Sequence, residues 1–99
     1  MIHESSVWIP DDHPSFAGHF PSRPILPGVV LLDLATRALG HALGRDVPPC
    51  GIASAKFLRP VGPGTELRIR LVEAGANWRF DILAGEDCVA TGSLRVEPA

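Results

Sequence analysis

Hydrophobic and polar positions follow two different periods along this chain, and each predicts its own kind of element. Residues 28–43, GVVLLDLATRALGHAL, are apolar at nearly every angle of a helical wheel. Their polar groups fall mainly on one stripe, Asp33, Arg37 and His41, spaced i, i+4, i+8. Pro27 suits the first-turn region of such a helix and Gly44 suits its stop. A helix apolar almost all round is expected to be buried, and in a chain this short burial needs a sheet wrapped around it. Beyond the helix, residues 51–58 form an apolar run ending at Arg59-Pro60, followed by a turn at Pro63-Gly64. The period then becomes two. Glu66 to Leu71 alternates cleanly, and so do Trp78, Phe80 and Ile82 with Arg79 and Asp81. Turns are predicted at Gly75–Asn77 and Gly85–Asp87, with a last strand over Cys88–Val96 and a short first strand over residues 3–9. One helix among strands linked by tight turns makes an α+β domain.

The chain has 99 residues, which predicts a single domain over 1–99 with a marginal core that gains from oligomerisation. Apolar residues at 45% exclude a disordered charged tail, and a net charge of −2 gives no bulk argument for binding nucleic acid. Cys50 and Cys88 are far apart and form no CxxC pair, so neither a thiolate metal site nor a redox motif is predicted, and a reducing cytoplasm fits. Residues 1–10 carry acid and Trp rather than the basic start of a secretory signal. The longest apolar run, near Val29–Leu32, is too short to span a bilayer. A cytoplasmic protein with no membrane contact is expected.

Residues 10–27 read as a stiff loop, because Pro21, Pro24 and Pro27 restrict themselves and the residues before them. Long ordered loops in compact domains are usually functional. His19 in this loop, Gly28 at the helix start and Asp33 inside the helix are the candidates for chemistry. Each also has an ordinary structural explanation. His19 could lie on the surface, Gly28 could be a conformational joint, and Asp33 suits the helix dipole and an i, i+4 pair with Arg37. Such a pair would oppose an acid role for Asp33. Together, however, the three supply a base, an acid and a backbone N–H for a carbonyl oxygen. That combination suits proton abstraction α to a carbonyl, with the acid role resting on desolvation of a carboxyl on a buried helix. His3, His13 and His41 form no metal-ligand pattern with His19, and no cofactor is predicted.

The segment GHFPSRPILPGVVLLD, residues 18–33, closely resembles the central motif of the bacterial 3-hydroxyacyl-ACP dehydratases of the FabA/FabZ type, roughly GHFPGxPxxPGVLxxE/D. The fixed positions are met at Gly18, His19, Phe20, Pro21, Pro24, Pro27, Gly28 and Val29, and the acid is Asp33. A second stretch, AKFLRPVGPG at 55–64, resembles the family's VKFLRPVxPG. Position 22 is Ser where the family usually has Gly, and typical members carry a helix and a strand before the segment equivalent to residues 3–9. In its compactness the chain resembles the ApeI-like subgroup found with aryl-polyene pathways.

The resemblance implies a hotdog fold, an antiparallel sheet around one long central helix at about residues 28–43. It implies a homodimer or larger homo-oligomer with a continuous sheet, in which His19 of one chain faces Asp33 of the other. The implied reaction dehydrates a 3-hydroxyacyl thioester on acyl carrier protein to the trans-2-enoyl thioester. In it His19 takes the C2 proton, Asp33 assists departure of the hydroxyl and the Gly28 amide holds the thioester oxygen. Phe20, Pro27 and Val29 are the implied substrate contacts. Leu31, Phe57 and Trp78 are weaker tunnel candidates, and Arg23, Lys56 and Arg59 are candidates for carrier docking. A hotdog acyl thioesterase and a catalytically silent carrier-binding or heterodimer subunit are the alternatives.

Overall fold

A computed structural model describes residues 2–16, 25–44 and 50–96. Strand β1 (Ile2–Ile9) leads through a 3₁₀ turn (Pro14–Phe16) towards helix α1 (Gly28–Leu43). Four strands follow: β2 (Cys50–Phe57), β3 (Thr65–Ala74), β4 (Asn77–Ala84) and β5 (Asp87–Val96). All neighbours in the sheet are antiparallel and their order is β1-β3-β4-β5-β2. The helix therefore occupies the span expected of it, and β3, β4 and β5 arise where the alternation predicts them.

The strand alternation aims one face of the sheet at the helix. Leu67, Ile69 and Leu71 of β3, Trp78, Phe80 and Ile82 of β4 and Ala90 and Leu94 of β5 are all buried. Against them α1 packs Leu31, Ala35, Ala38 and Leu39, with its contacts to β3 and β4, near the sheet's centre. Among the described residues no polar or charged residue is buried. The core is therefore held by apolar burial, at about 1.5–3 kcal/mol for each large side chain taken from water.

Two sequence expectations need correction. The helix is not buried all round: Val29, Asp33, Arg37 and His41 form an exposed stripe along it. One helix over the middle of a single sheet leaves its far side open, whatever the apolarity of its flanks. Nor is Pro63-Gly64 a hairpin turn between β2 and β3. The 58–64 link carries the chain from one sheet edge to β3, beside the opposite edge.

That link also fixes the start of the helix. The Leu26 N–H donates to the Val61 carbonyl at 2.8 Å, and the Gly64 N–H donates to the Ile9 carbonyl at 2.9 Å. β2 is left as an edge strand paired only with β5, and residues 51–60 are exposed.

Candidate active site

Pro27 caps α1 with extended backbone (φ −61°, ψ 145°) and no side-chain cap. The Val30 N–H donates to the Pro27 carbonyl at 3.0 Å, while the Gly28 N–H makes no hydrogen bond with another described residue. N–H groups left without an intrahelical acceptor at a helix start carry partial positive charge and donate well to an anionic oxygen. Gly28 also has a steric reason to be glycine: a Cβ built there would lie 2.8 Å from the tip of the Phe57 ring.

Gly28 opens into a groove of about 430 Å³. Leu26 and Leu31 line it from the helix side, and Phe57, Leu58 and Pro60 from the end of β2 and the link after it. Its wall is mainly apolar and Arg59 stands at it, 3.9 Å from Asp87. The tunnel candidates Leu31 and Phe57 are brought to this groove, whereas Trp78 is a core residue at 5% exposure. Pro27 and Val29 do not line it, and Val29 is 70% exposed on the open stripe of the helix. Leu26, Leu58 and Pro60 are wall residues that sequence reasoning missed. Only the crossing of the 58–64 link brings them together, and no local pattern signals that crossing.

Asp33 lies on the open stripe rather than in the groove. Its carboxylate accepts a hydrogen bond from Arg37 Nε at 2.8 Å, and the two side chains are 56% and 62% exposed. The expected desolvation of this carboxyl is therefore absent in the single chain. The hydrogen bond and the negative charge of Asp33 raise the Arg37 pKa above its ordinary value. His19, Phe20 and Arg23 lie outside the described residues. Of the two other docking candidates, Arg59 is at the groove. Lys56, one residue from inward-facing Phe57 and paired with Thr91, is on the sheet's outer face. Cys88 is half-buried, with Sγ donating to the Ala90 carbonyl at 3.3 Å.

A five-stranded antiparallel sheet with one long helix packed across it is the hotdog arrangement. Comparison with known proteins narrows this class. The ApeI-like family model, ApeI dehydratase, matches residues 2–93. The FabZ 3-hydroxyacyl-[acyl-carrier-protein] dehydratase of Gluconobacter oxydans is 42% identical over 91 residues, covering 80% of this chain and 54% of that enzyme. Thus the chain spans about half the length of the curated relatives it matches. Among solved structures, the dehydratase heterocomplex ApeI:P from Xenorhabdus doucetiae superposes with a TM-score of 0.79 at 22% identity, covering 98% of this chain and 88% of that one. An uncharacterized protein from Erwinia carotovora subsp. atroseptica does so at 0.72 and 29% identity, covering 98% and 83%. The chain belongs to the ApeI-like dehydratase family. Among the described residues no helix is long and apolar enough to cross a membrane.

Proposed function

We propose that this protein dehydrates a 3-hydroxyacyl thioester, presented by acyl carrier protein, to the trans-2-enoyl thioester. The observation that carries the reading is that Gly28, whose N–H makes no hydrogen bond with a described residue, lines an apolar groove at the start of a helix that bears a carboxylate. The thioester carbonyl accepts from the Gly28 N–H, which stabilises the enolate oxygen as charge develops there. His19 removes the proton from C2. The C2 electron pair forms the new double bond as the C3–O bond breaks, and Asp33 donates the proton that lets the hydroxyl leave as water. His19 and Asp33 exchange the remaining proton with solvent before the next turnover. Phe20, Pro27 and Val29 contact the substrate in this reading, Pro27 and Val29 from outside the groove wall on the side of α1 that faces the partner, and the reaction needs no metal or organic cofactor.

The working unit in this reading is a cytoplasmic homodimer joined through β2. An eight-residue edge strand with Ile52 and Phe57 about half exposed is a ready template for pairing with a second copy. The stripe carrying Asp33 then faces the partner, where its carboxyl meets the partner's histidine. A second reading, a subunit that pairs with a different dehydratase-like chain, draws support from the Arg37–Asp33 ion pair, which opposes an acid role, and from the heterocomplex among the structural relatives. Incubation with a 3-hydroxybutyryl-carrier thioester, followed by mass spectrometry, separates the readings. Loss of one water from the carrier-bound acyl group supports the dehydratase. Free 3-hydroxybutyrate means a thioesterase, and an unchanged acyl carrier bound by a folded dimer means a silent subunit.

A further inference from the structure

A second cleft, of about 470 Å³, lies between β1 and the middle of α1 and shares no lining residue with the Gly28 groove. Its apolar residues are Val7 and Ile69 from the sheet and Leu34 and Ala38 from the helix. Leu34 and Ala38 are i, i+4 neighbours, so they form a track about 6 Å long on the helix flank. The polar residues are rich in nitrogen. His3 comes from β1, and Arg37 and His41, again i, i+4 neighbours, come from the helix. The acidic residue at this cleft, Glu4, alternates to the outer face of β1, where it lies 3.7 Å from Arg70.

Two polar groups here are not fully used. Arg37 engages Asp33 through Nε, and its terminal amino groups make no hydrogen bond with a described residue. The guanidinium therefore has donors left for a second carboxylate. The His3 Nδ1 is buried with no hydrogen-bond partner among the described residues, so it lies behind the cleft wall and leaves Arg37 and His41 as the groups that present donors to the cleft. The apolar track disfavours a bare inorganic anion, and the free donors of Arg37 disfavour a plain hydrocarbon.

We infer that this cleft binds a small amphipathic carboxylate, with its carbon chain along Leu34 and Ala38 and its carboxylate at Arg37 and His41. The cleft lies on the β1 flank of α1 and adjoins the proposed reaction centre through the Arg37–Asp33 ion pair, so it is read by binding alone. Titration of the whole chain with hexanoate, followed by backbone amide NMR, tests it. The expected result is saturable shifts at Ser5, Ala38 and His41, with hexanol binding about tenfold more weakly for want of the charge-assisted pair. Arg37→Gln and His41→Gln, both at positions exposed in the single chain, leave the spectrum folded and weaken hexanoate, the first by about tenfold. Absence of saturable shifts at these amides overturns the inference. So does hexanol binding as tightly as hexanoate, or undiminished affinity in Arg37→Gln.

Discussion

A methyl group added at Gly28 would sit 2.8 Å from the outer edge of the Phe57 ring, and that ring is half exposed and free to swing aside. Gly28→Ala therefore keeps the fold. The gain in helix propensity and the crowding roughly cancel, for a change within about 1 kcal/mol in urea unfolding. The displaced ring no longer shapes the groove at the N–H, so crotonyl thioester turnover falls by about tenfold or more, and Phe57→Ala alone lowers it likewise. Asp33→Asn separates role from stability in the opposite way. Its ion pair is solvent-exposed, so the melting temperature stays unchanged while dehydration is lost. The Asp33–Arg37 pair was legible from its i, i+4 spacing alone. Its exposure was not, because which helix face is covered depends on where the sheet edges fall, and strand order is non-local.

The helix was readable to its ends because Pro27 and Gly44 punctuate it, and Gly44 takes the left-handed conformation (φ 69°) that closes such a helix. The three-strand meander was readable from its alternation. The 58–64 link was not, since a Pro-Gly turn looks the same locally whether it closes a hairpin or starts a crossover. One residue shows how tightly β2 is laid on β5. A Cβ at Gly92 would strike both the Ser54 carbonyl oxygen and the Phe80 ring, beside the register shift between Ile52 and Ser54. Gly92→Ala cannot be relieved by turning one flexible side chain, so it costs about 3 kcal/mol by chemical denaturation. An unchanged midpoint would mean that β2 is not seated as described.

At the scale of the whole molecule, an apolar core under one helix leaves the edge strand β2 and the stripe that carries Asp33 among its open features. Dimerisation through β2 covers both in the proposed assembly. Ile52→Lys adds charge to that edge and is expected to convert the dimer to a folded monomer in light scattering, with turnover lost. Shared sites also predict complementation. Mixing inactive His19→Ala and Asp33→Asn chains, with exchange, restores about a quarter of wild-type activity, since half the dimers are mixed and each of these has one intact site. The fold class and family were legible from the central motif. In the proposed dimer the meeting of His19 with Asp33 is a property of two chains, which no pattern within one sequence displays.

The most direct measurement follows the enoyl absorbance of a crotonyl thioester with wild-type protein, His19→Ala and Asp33→Asn at equal dimer concentration. Because hydration is the reverse of the proposed dehydration, loss of the enoyl signal in wild type, with both variants flat, is the predicted result. A flat trace from a folded wild-type dimer, or release of free thiol, would contradict it.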